Sequence, residues 1–127
     1  MIAFDRLKLD DSAPIYLQII RYIQRGILSG EIGDGDELPS RRQLSALLGV
    51  NPNTIQKACR MLEDEGLLSS HTGAKSCISL TPERIGRIRD ELLGQRLRQI
   101  ADELRQSGLG REEALALLAR AWEEETE

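Results

Sequence analysis

Ile15, Ile19, Ile20, Ile23 and Ile27 recur at three- and four-residue spacing between Pro14 and Ser29, a pattern that stripes one side of an amphipathic helix. Gly30 follows as a stop. The glycines and aspartates of EIGDGDE, residues 31–37, read as a loop. In LPSRRQLSALLG, Ser40 and Gln43 have the offset of a capping box, which starts a second helix near Arg41. Its apolar face is Leu44, Leu47 and Leu48, and Gly49 ends it. Asn51 as N-cap and Pro52 at the first helical position open a third helix, predicted to run to about Glu65 and to close at Gly66. So short a connection is the geometry of a helix-turn-helix.

On the third helix the inner face is Ile55, Ala58, Cys59 and Leu62, while Asn53, Gln56, Lys57 and Arg60 recur half a turn away. LLSS (67–70) and CISL (77–80) are strand candidates around the polar loop HTGAKS, a hairpin of the kind that forms a wing. Helical spacing returns at Pro82, with Thr81 as cap. Ile85, Ile88 and Leu92, then Leu93, Leu97, Ile100 and Leu104, repeat at threes and fours, and Gly94 marks a one-residue shift of the stripe. After a turn at SGLG (107–110), Leu115, Leu118, Ala119 and Trp122 line a last helix. The expected fold is therefore mainly α with a small β-hairpin: a winged helix-turn-helix over 1–80 and a two-helix arm over 81–127. No internal repeat or low-complexity linker is present.

The chain has 127 residues and a formal net charge of -4, enough for one modest core with an extension. Charges or glycines interrupt every apolar run, so no membrane span is expected. The start, MIAFDRLKLDD, lacks a basic segment followed by an apolar one, so no secretion signal is read there and the cytoplasm is the expected compartment. Aromatic residues are only 3% of the chain, which argues against the stacking platforms used on single-stranded nucleic acid. Cys59 and Cys77 sit at apolar-pattern positions and read as buried thiols, without the spacing of a metal knuckle or a disulfide framework. His71, the single histidine, offers a metal or redox sensor with them only as a minor alternative. No cofactor or metal is expected. No nucleophile has an adjacent base and no glycine-rich phosphate loop occurs, so an enzyme is not expected.

Charge changes the picture in one place. Residues 38–62 contain Arg41, Arg42, Lys57 and Arg60 and no acidic residue, although residues 81–127 carry eleven Asp and Glu against eight Lys and Arg. A carboxylate held against duplex DNA adds repulsion, whereas charges more than roughly 8–10 Å away are screened by salt. An acid-free face on an acidic protein is thus compatible with double-stranded DNA as partner. Asn and Gln pair bidentately with adenine, and Lys reaches guanine acceptors or phosphate, so Asn53, Thr54, Gln56 and Lys57 are the candidates for reading bases. Ser40, Arg41, Arg42 and Arg60 are placed for phosphate oxygens, and Lys75 for phosphate from the wing.

The lead-in APIYLQI, the element LPSRRQLS, the turn GVNPNTIQKA and the segment LEDEGLL together resemble the GntR family of bacterial transcription regulators, over roughly residues 12–80. The resemblance implies a winged helix-turn-helix that binds an operator as a dimer. It also implies DNA contacts at Ser40 and Arg42, at Asn51, Pro52, Asn53, Thr54 and Gln56, and at Thr72 and Gly73 of the wing tip. Two departures stand out: many members carry arginine where this chain has Pro52 and Gln56, and the usual glycine-x-glycine of the wing is here Gly73-Ala74-Lys75. Asn-Pro-Asn-Thr with a short tail is similar to the YtrA-type branch, which implies a repressor of a transporter operon.

The arm completes the expectation. Its stripes, Ile85, Ile88, Leu92, Leu93, Leu97, Ile100 and Leu104 with Leu115, Leu118 and Trp122, exceed what one partner helix buries, so a homodimer is expected. Recognition helices about 34 Å apart in such a dimer match successive major grooves and a palindromic site. Two helices leave little room for a drug-sized cavity of roughly 300 Å³, so any small-molecule effector is expected at the subunit interface or under the wing. The competing function is a winged-helix protein adaptor that uses the acidic tail and binds no DNA.

Overall fold

The computed structural model describes residues 1–70 and 75–125 and forms two compact units, Met1–Arg89 and Asp90–Glu127. Along the chain run α1 (Ile15–Ser29), α2 (Arg41–Leu48), α3 (Pro52–Asp64), β1 (Leu68–Ser69), β2 (Cys77–Ile78), α4 (Pro82–Gln106) and α5 (Arg111–Glu125).

Within the first unit, α1 buries Ile19, Ile20, Ile23 and Ile27, and α3 buries Ile55, Ala58, Cys59 and Leu62, the inner face its spacing predicts. α2 adds only Leu44. Leu47, expected on the apolar face of α2, is instead 67% exposed. A helix of two turns meets its neighbour along one narrow line, which Leu44 fills and Leu48 flanks, and Leu47 falls outside it.

The wing differs from its sequence pattern. The two strands shorten to two residues each, antiparallel, with Leu68 opposite Ile78 and Ser69 opposite Cys77. Part of the segment read as a loop supplies further pairing: Glu37 bridges Cys77, Ile78 N donates to Asp36 O, Gly35 N to Ile78 O and Leu38 N to Ser76 O, at 2.8–2.9 Å. Residues 35–38 thereby satisfy the free backbone edge of β2. Ile2 N donates in turn to Glu37 O at 2.8 Å. This draws Ile2 and Phe4 into the core, where Phe4 lies against Tyr22 with ring centroids 5.2 Å apart and the Tyr22 hydroxyl donates to Ala3 O.

The start of α4 belongs to the first unit. Leu80 N donates to Asp34 Oδ1 at 2.8 Å, Thr81 caps Arg84 N as expected, and Arg84 Nη1 donates to Ser79 Oγ. The Arg84 guanidinium lies over Gly66, whose φ of +77 closes α3; a Cβ there would come within 2.9 Å of Arg84 Nε, so both the left-handed backbone and the close approach require glycine. Ile88, assigned by its spacing to a dimer stripe, is only 2% exposed in the single chain and has no surface left for a partner. The compact unit accordingly ends at Arg89 rather than at residue 80.

In the second unit α4 continues unbroken through Gly94 to Gln106. Gly108, at φ +82, turns the chain, with Gly108 N donating to Arg105 O and Leu109 N to Leu104 O. α5 opens with Gly110 N bonded to Glu113 Oε1. Leu93, Leu97, Ile100, Leu115, Leu118 and Trp122 are exposed, and so is Leu117, which the expected stripe omitted. Leu92 and Leu104 are half-buried. Among the described residues no helix is long and apolar enough to cross a membrane.

Candidate nucleic-acid interface

Two N-caps set the relation of α2 to α3. Ser40 Oγ accepts from Gln43 N at 3.1 Å and Gln43 Oε1 accepts from Ser40 N at 3.0 Å, the reciprocal capping box. The bond from Gln43 N occupies one lone pair of Ser40 Oγ and leaves the hydroxyl proton of this exposed residue as a donor. At the turn, Gly49 takes φ +64, Val50 N donates to Ser45 O, and Ser45 Oγ donates to Val50 O at 2.6 Å. Asn51 Oδ1 then accepts from Asn53 N at 2.8 Å, with Pro52 at the first helical position where an N–H is not needed. Asn51 itself is exposed.

From this start α3 presents Asn51, Pro52, Asn53, Lys57 and Arg60 to solvent, with Thr54 and Gln56 half-buried at the margins of the same face. Asn53, Gln56, Lys57 and Arg60 thus share one side, and the buried Ile55, Ala58, Cys59 and Leu62 take the other. The face combines amide groups, which both donate and accept, with two cations. Such a set can meet the hydrogen-bonding edges of bases and the oxygens of phosphates.

Its flanks carry two contacts that the sequence did not reveal. On one side, the Lys57 ammonium lies over the Tyr16 ring of α1, 4.0 Å from its centroid, a contact that biases the direction of the exposed side chain. On the other, Arg41 Nη2 donates to Glu63 Oε1 at 2.6 Å across 22 residues of sequence. Tyr16 belongs to the lead-in and Glu63 is the first carboxylate after the acid-free window, yet no local pattern pairs either with its partner. Arg42 and Arg60 form no ion pair among the described residues and remain exposed. Lys75 lies 3.8 Å from Glu37 with both side chains about half exposed, a weak surface pair. Thr72 and Gly73, the expected wing-tip contacts, lie outside the described residues, as does His71.

Beneath the pair of helices Cys59 is buried. Burial pushes its thiol above the usual range, and the adjacent Arg41 offsets part of that rise. Cys77, expected buried, is only half-buried, and both thiols are free. Among the described residues no three His, Cys, Asp or Glu side chains come close enough to hold a metal ion.

Residues 15–76 match the family described as bacterial regulatory proteins, gntR family. The chain is 43% identical over 68 residues to the HTH-type transcriptional repressor YtrA of Bacillus subtilis, a match that covers 54% of this chain and 52% of that protein. A solved GntR family transcriptional regulator from Listeria monocytogenes is similar over 88% of this chain and 98% of its own, at 32% identity and a TM-score of 0.72. The DNA-binding domain of AraR, solved in complex with operator ORE1, is similar over 58% of this chain and 93% of its own, at 29% identity and a TM-score of 0.50.

Proposed function

Given that this chain belongs to the gntR family of bacterial regulatory proteins and is a transcription regulator with a winged helix-turn-helix DNA-binding domain, we propose that it acts in the cytoplasm as a homodimeric repressor. It binds a palindromic operator in duplex DNA with α3 in the major groove. The observation that carries this reading is the outer face of α3 over its first nine residues, where Asn53, Gln56, Lys57 and Arg60 lie together and the nearest carboxylates, Glu63 and Asp64, are confined to the last turn.

Asn53, Thr54, Gln56 and Lys57 read base edges. Ser40, Arg41, Arg42 and Arg60 grip phosphate, with Asn51 and Pro52 at the tip of α3 beside them, and Lys75 reaches phosphate from the wing. An operator complex of the similar AraR domain supports this use of the fold, and the repressor named YtrA supports the sign of regulation. A transporter operon is the target class that the YtrA-type resemblance implies.

Leu92, Leu93, Leu97, Ile100, Leu104, Leu115, Leu118 and Trp122 form the dimer contact, with Leu117 added to them and Ile88 removed. Ile85, assigned to the same stripe, is half-buried in the first unit. Exposed large apolar side chains recurring along both helices of the arm support such a contact. Any small-molecule effector sits between the subunits.

Anisotropy on labelled duplexes at several salt concentrations tests the reading. A DNA reader loses affinity steeply with salt, because each phosphate contact releases a counterion; an adaptor binds weakly at every concentration. Asn53→Ala relaxes base preference, and Arg42→Ala weakens all duplexes alike. The reverse assignment of these two effects contradicts the proposed division of roles.

A further inference from the structure

One carboxylate ties together three elements around the proposed interface. Glu63, on the last turn of α3, accepts from Arg41 Nη2 on the first turn of α2 at 2.6 Å. The same oxygen, Oε1, accepts from Ser70 Oγ, just beyond β1, at 3.3 Å. Ser70 Oγ lies 2.9 Å from Ser76 Oγ, just before β2. Glu63 therefore joins the start of α2 to both sides of the wing base.

A guanidinium is a planar fork with five N–H donors. Glu63 engages it at Nη2 and the Cys59 side chain also bonds it, yet the Arg41 side chain stays 40% exposed, so N–H donors remain for a phosphate oxygen. Holding one edge of the fork fixes the plane in which the others are presented. A group ordered before binding loses less freedom on binding.

We infer that Glu63 is a positioning residue: it holds the Arg41 guanidinium so that its remaining N–H groups meet a phosphate oxygen, and it registers the wing base to that arginine. This rests on the proposed DNA binding. The bond to Arg41 offsets the charge of Glu63 locally while using its geometry. Lysine at residue 41 is expected not to substitute for arginine, since an ammonium lacks the planar fork that serves two acceptors in a fixed plane.

The test separates geometry from charge. Glu63→Asp keeps the charge and withdraws the carboxylate by one methylene; Glu63→Gln keeps the acceptor and removes the charge; Arg41→Lys keeps the cation and removes the fork. Affinity of the full chain for a selected duplex is measured by anisotropy, well below each variant's melting temperature. The expected result is about 5- to 10-fold weaker binding for Glu63→Asp and for Arg41→Lys, binding for Glu63→Gln at least as tight as wild type, and less than a 2-fold further loss when Glu63→Asp is added to Arg41→Lys. Glu63→Asp binding as tightly as wild type, or weakening both backgrounds equally, overturns the inference. Should Glu63→Asp fail to fold, Arg41→Lys decides alone, since undiminished binding contradicts a role for the fork. If wild type itself ignores every duplex, the DNA-binding reading fails instead, and the two failures are distinct.

Discussion

The ammonium of Lys57 on α3 stacks over the ring of Tyr16 on α1, 4.0 Å from its centroid. The contact joins a candidate base-reading residue to the helix behind it. Partly exposed cation–π pairs contribute about 0.5–1 kcal/mol. A double-mutant cycle with Tyr16→Leu and Lys57→Met, followed by urea unfolding, is expected to give a coupling energy of that size. Additive single effects contradict a direct interaction.

Asn51 combines two roles that one substitution separates. Its Oδ1 caps α3 by accepting from Asn53 N, and aspartate caps as well as asparagine does. Asn51→Asp therefore leaves the melting temperature within a degree or two of wild type, yet places a carboxylate at the tip of the proposed interface. Duplex affinity is expected to fall about 10-fold or more by repulsion. Asn51→Ala, in contrast, removes the cap and costs about 1 kcal/mol in stability, which thermal unfolding measures.

How much of this was legible in the chain follows from distance along it. The cap of α2 by Ser40 and Gln43, the start of α3 at Asn51 and Pro52, and the stops at Gly30 and Gly49 all rest on neighbours within four residues, so pattern alone locates them. The inner and outer faces of α3 follow from helical period in the same way. Pairing of Asp36 and Leu38 with the β2 strand, docking of Ile2 and Phe4, the bond from Arg41 to Glu63 and burial of Ile88 unite residues far apart in sequence. No local spacing encodes them. Leu47 fails for a related reason: its period fits the apolar stripe, but the neighbour it needs is absent on that side.

Cys59 and Cys77 report the packing of the first unit. Burial holds the Cys59 thiol protonated above its ordinary range, and the thiolate is the reactive form. At pH 8 in the native protein Cys77 is expected to be alkylated well before Cys59, as mass spectrometry of labelled peptides will show. The raised value also sets a sign for stability. The folded state retains a proton that the unfolded chain releases near pH 9, so this contribution is present below about pH 9 and is lost as pH rises through the folded value. Stability therefore declines more steeply above that pH in wild type than in Cys59→Ala.

Trp122, the single tryptophan, is 72% exposed in one chain, which makes it a reporter of the proposed dimer. Its emission is expected to lie to the blue at micromolar concentration and to move to the red on dilution. Leu97→Glu, at a position 57% exposed in the single chain, places a charge within the contact without disturbing the first unit. The variant is expected to sediment as a monomer with red-shifted emission and to lose at least 10-fold in duplex affinity, because two linked recognition helices bind as one bivalent unit. Unchanged sedimentation with unchanged emission contradicts a dimer built on this arm.

Selection of bound duplexes from a randomised pool, at low ionic strength and with the sedimenting species identified in parallel, tests whether the chain binds a palindromic site as a dimer. An operator-binding dimer enriches an inverted repeat whose half-site centres lie about 10 base pairs apart, or a multiple of that. A chain that sediments as a monomer and enriches no sequence over the starting pool contradicts such binding.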